Sequence, residues 1–135
     1  MDITRCLALL AGLAIAAPAA QAQDAAGPTG AWVVEAIGAT VLSGARRPDI
    51  TFTDEHTAHG SSGCNRFMGG FTLEGATLQF DPVAGTRMAC EPPLMEREQR
   101  FHAALEAVRG WRMDGAALLL TDTSGGTVLR LRRER

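Results

Sequence analysis

Several kinds of residue are scarce in this sequence of 135 residues, and each shortage excludes a class of protein. There is no lysine and no tyrosine, and aromatic residues make up 5% of the chain. All 13 basic side chains are arginine, and they stand against 15 acidic ones, for a formal net charge of −2. Without a broad excess of positive charge, composition gives no support for nucleic-acid binding. So few aromatic residues also argue against a roomy aromatic pocket.

The sequence also lacks the spacings that usually carry metal or catalytic chemistry. It has no Cys-x-x-Cys and no His-x-x-x-His. His56 and His59 are three residues apart, which in a strand directs them to opposite faces, so we do not combine them with Glu55 and Cys64 into a metal site. The carboxylates are scattered singly, and no serine or carboxylate motif accompanies His102. We therefore predict no cofactor, no metal, no catalytic residue and no enzymatic activity.

Long hydrophobic runs are missing too, apart from one near the N-terminus. The run from Cys6 to Ala17 is about a dozen residues long, too short for a bilayer core of about 30 Å. It follows Arg5 and precedes Ala20-Gln21-Ala22, a pattern typical of a secretory signal peptide. An N-terminal membrane anchor is the alternative. Lipoprotein processing needs a cysteine at the end of the run, whereas Cys6 lies at its start.

This pattern predicts export across the inner membrane and a periplasmic location, without lipid attachment. We expect cleavage after Ala22, which makes residues 1–22 the signal peptide. Residues 23–30 are rich in Ala, Gly, Pro and Asp and are predicted to form a flexible lead-in. Residues 31–135 then form one domain.

Cleavage leaves two cysteines, Cys64 and Cys90, in an oxidising compartment. The simplest interpretation is a structural disulfide. Two buried free thiols are an alternative, and a redox-active pair is another, because Cys90 directly precedes a predicted helix that would lower its pKa.

Alternating and turn-forming residues predict a mainly β domain. In residues 49–53, Ile50 and Phe52 point one way and the polar residues the other, as in a half-buried strand. Similar short segments recur, with hairpin turns predicted at Glu74-Gly75 and Asp114-Gly115. This spacing indicates a small antiparallel barrel or a strongly curled sheet.

One helix is predicted at about residues 93–109. Pro92-Pro93 suits a first helical turn, and Gly110 suits the position after the helix. Between them, an apolar stripe falls at helical spacing and predicts one packed face. Its members are Leu94, Phe101, Ala104, Leu105 and Val108.

The last strand places several arginines near the C-terminus. The simplest interpretation is the solvated face of an edge strand that resists edge-to-edge pairing. A peripheral contact with anionic lipid is the alternative. The residues concerned are Arg130, Arg132, Arg133 and Arg135.

Two motifs together carry a family resemblance. They are Gly63-Cys64-Asn65-Arg66-Phe67-x-Gly69-Gly70-Phe71 and Thr86-Arg87-Met88-Ala89-Cys90. In this pairing and spacing the sequence resembles the META domain family, the HslJ-like heat-inducible proteins of bacterial envelopes. The resemblance covers essentially the whole of the predicted mature chain.

The resemblance implies a lipocalin-like antiparallel barrel with a helix, export, and a role in envelope stress or heat shock. It supplies no reaction. We expect a monomeric, non-enzymatic protein that binds or scaffolds an envelope partner; the alternative is a carrier of a small apolar ligand or lipid in the barrel, and a thiol redox protein is a third.

The motif residues divide by expected role. Asn65 is expected to be structural, since its side chain suits a turn, with a binding surface as the alternative. Arg66 and Arg87 are candidates for a binding surface. Structural roles are assigned to the remaining members, Gly63, Phe67, Gly69, Thr86 and Met88.

Overall fold

The computed structural model describes residues 11–14 and 27–135. The predicted signal peptide therefore lies outside the described residues except for 11–14, which are exposed and have no regular structure. Most of the predicted lead-in also lies outside them. In its described part, residues 27–30, Pro28 is buried and its carbonyl accepts a 2.7 Å hydrogen bond from the Trp32 indole.

The domain is a mainly antiparallel sheet with one α-helix, as predicted. No helix in the described ranges is long and apolar enough to cross a membrane. The elements, in chain order, are β1 (Gly30–Ile37), β2 (Thr40–Val41), β3 (Asp49–Phe52), β4 (Thr57–Ser61), β5 (Arg66–Glu74), β6 (Thr77–Phe80), β7 (Ala84–Gly85), α1 (Pro92–Ala107), β8 (Gly110–Asp114), β9 (Ala117–Thr121) and β10 (Thr127–Arg133).

The sheet curls until its first and last strands meet, which makes it ring-like. Its strands follow the order β10-β9-β8-β6-β5-β4-β3-β1-β2, and β10 also pairs with β1. The closing pair is antiparallel, with Trp32 opposite Arg133 and Ile37 opposite Leu129, and its register shifts once between Val34 and Ala36. The prediction that the last strand is an edge strand is therefore wrong, since β10 has a neighbour on each side.

One junction of the ring is much shorter than the rest. Strands β6 and β8 are in register only at Thr77 and Gly110. Backbone hydrogen bonds from Trp111 to Ala76 (3.0 Å) and from Leu78 to Arg109 (3.1 Å) support that junction. The indole of Trp111 adds a 2.7 Å hydrogen bond to the carbonyl of Gly75.

Apolar side chains fill the space that the curled sheet encloses. The ring of Phe52 meets Phe71 edge-on at 5.3 Å and lies 5.8 Å from Phe80. Strand β3 alternates as predicted, with Ile50 and Phe52 buried. Burying such side chains is the main source of stability for a domain of this size.

Helix α1 lies against β1, β6 and β10. It begins at Pro92, where the missing N–H has no helical acceptor to lose. It ends at Ala107, slightly before the predicted end, because Val108 takes an extended conformation. Phe101, Ala104 and Leu105 are buried, and Phe101 packs against Phe67 at 5.5 Å. The predicted apolar stripe is thus the packed face.

Candidate functional site

The two cysteines lie next to each other, one before β5 and one before α1. The structure joins Cys64 and Cys90, 26 residues apart in sequence, as a disulfide with their Cα atoms 6.0 Å apart. That separation lies within the ordinary range for a disulfide. The bond links the sheet to the segment that leads into the helix.

The side-chain amide of Asn65 binds the same segment. Its Oδ1 accepts hydrogen bonds from the Met88 backbone N–H (2.6 Å) and the Thr86 hydroxyl (3.0 Å). Its Nδ2 donates to the Met88 carbonyl (3.2 Å) and to Glu98 Oε2 (3.1 Å). An amide presents a donor and an acceptor side by side, as a peptide group does. Asn65 therefore pairs with Met88 as a neighbouring strand would.

Ser62 completes the connection to the helix. Its hydroxyl donates to Glu98 Oε1 at 2.6 Å and accepts from the backbone N–H of Asn65 at 3.0 Å. Ser62 is fully buried and Asn65 is 4% exposed. Polar groups buried this deeply need partners, and these have them. We call the residues Ser62, Cys64, Asn65, Thr86, Met88, Cys90 and Glu98 the staple.

Two surface grooves flank the staple. The larger, of about 720 Å³, runs between α1 and residues 83–89. Its lining includes Arg87, Met88, Met95 and His102. The smaller, of about 430 Å³, lies along the start of β5, and Gly85 and Thr86 line both grooves. The grooves are therefore adjacent parts of one surface.

Comparison with known proteins identifies the family. The META domain family model matches residues 25–135. The protein belongs to the META domain family. No curated protein matches this chain.

Two solved structures cover most of this META domain. One, an NMR structure of a protein from Burkholderia xenovorans, is 27% identical, with a TM-score of 0.65 over 89% of this chain and 93% of that one. A second NMR structure is 24% identical, with a TM-score of 0.61 over 78% of this chain and 89% of that one.

A crystal structure of a DUF4847 family protein from Bacteroides vulgatus is also similar. It is 20% identical, with a TM-score of 0.52 over 64% of this chain and 59% of that one. At 24% and 20% identity, the second NMR structure and this crystal structure support the fold alone.

The family motifs of this META domain thus meet at one place, and their members divide between the staple, the core and the grooves. Phe67 is in the core at 4% exposure. A Cβ on Gly69 would lie 2.9 Å from Cγ1 of Val83, so the small residue lets residues 81–85 approach β5. Arg66 lines the smaller groove and Arg87 the larger one.

Glu98 is the site residue that sequence reasoning missed. It is hydrogen-bonded to Ser62 and Asn65, its side chain is 12% exposed, and its Oε1 lies 3.9 Å from Nε2 of His102. A signal was present in the sequence, because Glu98 falls on the apolar stripe between Leu94 and Phe101. A carboxylate on the packed face of a helix needs a buried partner.

The histidines that we did not combine into a metal site lie apart from the staple. His56 is in the turn before β4 and stacks on Phe71 at 5.4 Å, whereas His59 lines the smaller groove. Within the described ranges, no group of three His, Cys, Asp or Glu is placed to hold a metal ion.

The C-terminal arginines are mostly engaged within the domain. Arg130 pairs with Asp114 (3.1 Å) and Glu35 (3.6 Å), and Arg132 pairs with Glu35 (3.4 Å). Arg133 lies 4.1 Å above the Trp32 ring and donates to the carbonyl of Thr29 (2.7 Å). These contacts give the arginines an internal role in closing the ring, and they do not support the lipid contact.

Proposed function

We propose that this META domain is a non-catalytic, exported protein of the bacterial envelope that acts in stress tolerance by binding apolar segments of envelope proteins. The observation that carries the proposal is the exposure of two methionines, Met88 in the staple and Met68 beside it. Met68 is 61% exposed and lines the smaller groove; Met88 is 59% exposed and lines the larger one.

The polar groups of the family motif support binding rather than catalysis. Asn65, Thr86 and Glu98 use their side chains to hold one another and the Met88 backbone. A catalytic group must be free to exchange a proton or a bond with substrate. Side chains engaged in this way are suited to keeping a surface in shape.

Methionine suits a surface that accepts varied apolar segments. Its side chain is unbranched, flexible and polarisable, and it recurs at binding surfaces that take several partners. The backbone of Met88 is fixed by Asn65, whereas its side chain is exposed. Such a surface is pre-organised in its backbone and adaptable in its side chains, which limits the entropy lost on binding.

The second candidate function is a carrier of a small apolar ligand. The volume of the larger groove, about 720 Å³, lies within the usual range for small-molecule sites. A ligand inside the sheet is not favoured, because core side chains such as Phe52, Leu78 and Leu120 fill that space. A carried ligand would therefore lie in the groove.

An intact mass of protein exported by its own signal tests both candidates and the location. We expect periplasmic protein whose mass begins at Gln23, two hydrogens lighter than the dithiol, without an adduct under native conditions. A retained adduct of a few hundred daltons, lost on denaturation, would favour the carrier. Protein that stays in the cytoplasm at full length would contradict export.

Paired substitutions test the binding surface itself. Met68→Glu with Met88→Glu adds two charges to the grooves, whereas Val41→Glu with Gln79→Glu adds two charges at exposed positions that line neither groove. In a host lacking the protein, we expect the second pair to restore survival after heat stress and the first pair to fail. Full rescue by the first pair would exclude the methionine surface. Unchanged survival of the deletion host would exclude the stress role.

A further inference from the structure

Part of one strand edge is left unpaired where the sheet borders the larger groove. Strand β5 pairs with β4 along one side and, along its other side, with β6 and then β7. On the far side of these two strands, β6 is in register with β8 only at Thr77, and β7 has no further neighbour in the described part of the chain. Residues 85–89, which begin in β7, line the larger groove opposite α1. The groove therefore borders a free edge of the sheet.

The chain that leads from β7 to α1 uses every second residue for contacts within the domain. The Thr86 N–H donates to the β5 backbone at 2.9 Å, and both backbone groups of Met88 bind the side chain of Asn65. The Cys90 N–H, two residues further along, donates to Met95 Sδ at 3.4 Å. Successive residues of an extended chain direct their N–H and C=O groups to opposite sides. The residues between these positions therefore direct theirs away from the domain.

Those intervening residues present free backbone groups. Gly85 lies opposite Phe67, next to the hydrogen bond of Thr86, so its N–H and C=O face away from β5. Gly85, Arg87 and Ala89 are exposed, and all three line the larger groove. Within the described ranges their N–H and C=O groups have no hydrogen-bond partner. We call Gly85, Arg87 and Ala89 the open edge.

Free donors and acceptors two residues apart fit another extended chain. When a peptide binds as an additional strand, the main-chain groups of an exposed sheet edge supply affinity, and side chains at alternate positions supply specificity. A helical segment does not fit, since its own backbone groups are already paired along the helix. The open edge therefore selects an extended conformation in its ligand.

Arg87 favours an acidic segment over a second copy of this protein. It is the middle residue of the open edge, and within the described ranges it forms no ion pair. Antiparallel pairing of two copies centred on Arg87 would place like charges opposite each other, which destabilises a strand pair, whereas an acidic residue opposite Arg87 stabilises it. Apolar side chains of the segment would meet Met88 and Met95, which line the same groove.

We propose that the open edge binds an extended peptide segment as an additional β-strand, and that this segment carries an acidic residue among alternating apolar ones. The inference rests on the proposed function, because it assigns the conformation and the charge of the apolar segments bound there. The staple supports the open edge directly, since Asn65 fixes the backbone of Met88 between Arg87 and Ala89. Such segments come from incompletely folded chains, because folded proteins pair or protect their strand edges.

A synthetic peptide tests the open edge by amide exchange. The probe is Val-Thr-Val-Glu-Val-Thr-Val, blocked at both ends, and NMR measures the exchange of single backbone amides with solvent. We expect saturating peptide to slow exchange at Gly85, Arg87 and Ala89, and to change little at Thr86 and Met88, which are bonded already. No binding at about 1 mM peptide, or unchanged exchange in the open edge of the complex, would overturn the proposal.

Methylation of the peptide nitrogens tests the strand pairing from the other side. Only one edge of an added strand faces the protein, so methylating one alternate set of nitrogens removes the pairing donors and methylating the other set does not. We expect the first form to bind about tenfold more weakly or worse, and the second form to bind nearly as well as the unmodified peptide. Equal affinity of the two methylated forms would contradict strand addition.

Exchanging charges tests the role of Arg87. A peptide with lysine in place of glutamate is expected to bind more weakly to the wild type, and Arg87→Glu is expected to reverse this preference. The control is Arg112→Glu, which changes net charge equally at an exposed residue that lines neither groove and should keep the wild-type preference. The same preference in all three proteins would exclude Arg87 as the selecting charge.

This inference and the proposed function can fail separately. Peptide binding that is lost in Met68→Glu with Met88→Glu, but leaves amide exchange in the open edge unchanged, would overturn strand addition and leave the methionine surface standing. Strand addition by these measurements, together with full survival after heat stress in the same double variant, would leave the open edge as a peptide site and overturn the proposed function.

Discussion

The side-chain amide of Asn65 pairs with the backbone of Met88, accepting from its N–H at 2.6 Å and donating to its C=O at 3.2 Å. The two residues are 23 positions apart in sequence. The Asn65 side chain thus makes the hydrogen bonds that a neighbouring strand would make. The segment around Met88 that receives them has little regular structure of its own. The staple extends this connection to the helix through Glu98.

We expect Asn65→Ala to destabilise the domain by about 3 kcal/mol, because it leaves the Met88 N–H and Glu98 short of partners. Urea unfolding of variant and wild type measures the difference. Asn65→Asp is the matched comparison. It keeps an acceptor for Met88 but loses the donor to Glu98 and adds a second carboxylate beside it.

The loss of unfolding free energy is expected to depend on pH in Asn65→Asp but not in Asn65→Ala. The defect of Asn65→Asp is expected to shrink as the pH falls, because two carboxylates in contact repel each other and the pair binds a proton more readily than an isolated carboxylate does. The defect of Asn65→Ala is expected to change little over the same range. If both variants lose less than about 1 kcal/mol of unfolding free energy, the Asn65 contacts are not important for stability.

Removing the disulfide is expected to cost several kcal/mol. Joining residues 26 positions apart restricts the unfolded chain by about 3–4 kcal/mol. We expect Cys64→Ser with Cys90→Ser to lower the unfolding midpoint under oxidising conditions. Reductant is expected to lower the wild-type midpoint to nearly the same value. An oxidised wild type no more stable than the variant would contradict the structural role.

Gly63 tests how tightly the loop before β5 packs on the loop between β2 and β3, which carries Arg46. It has a φ of +97°, and a Cβ there would lie 2.5 Å from the carbonyl oxygen of Arg46. We expect Gly63→Ala to cost about 3 kcal/mol, through backbone strain and the steric clash. Gly115→Ala is the control, with a φ of +59° but no atom within 4 Å of its Cβ. Its cost is expected to be about 1 kcal/mol, from the dihedral angle alone. Equal costs would exclude the clash.

Asp122, in the turn between β9 and β10, gives a prediction about titration. A hydrogen bond from the Ser124 hydroxyl (2.6 Å), helped by backbone N–H groups of Gly126 and Ser124, lowers the pKa of Asp122 below its usual value. The ionised form therefore stabilises the turn above the unfolded pKa, near 4, and this contribution is lost as the pH falls through the folded value. A carboxyl NMR titration should show the low pKa, and Ser124→Ala should raise it. An unchanged pKa in that variant would exclude the Ser124 hydroxyl as the cause.

Local sequence patterns predicted the strands and the helix of this fold well. They could not predict which strands pair when those strands are distant in sequence. The alternation of Ile50 and Phe52 and the apolar stripe around Phe101 depend only on near neighbours in sequence. The pairing of β1 with β10 joins opposite ends of the domain, and no local pattern specifies it. The wrong prediction that β10 is an edge strand has the same cause. In the sequence Arg130 and Arg132 look solvated, and only the fold brings Glu35 next to them.

The candidate site was only partly predicted, again because its contacts join residues that are distant in sequence. The motif pointed to Asn65 and Met88, but an asparagine gives no indication of which backbone group it will bind. Glu98 broke the apolar stripe and was the clearest missed signal. The hydrogen bond from Arg97 to the carbonyl of Arg46 had no signal at all, since these two residues are far apart in sequence and meet only through the fold.

The pairing of β1 with β10 also has a consequence for the order of folding. The first strand cannot complete its hydrogen bonds until the last strand has been synthesised, since Trp32 pairs with Arg133 and Ala31 accepts from the N–H of Glu134. Contacts this distant in sequence form late and slowly. The nascent domain therefore stays open along one side, between β1 and β9, until β10 has emerged from the ribosome.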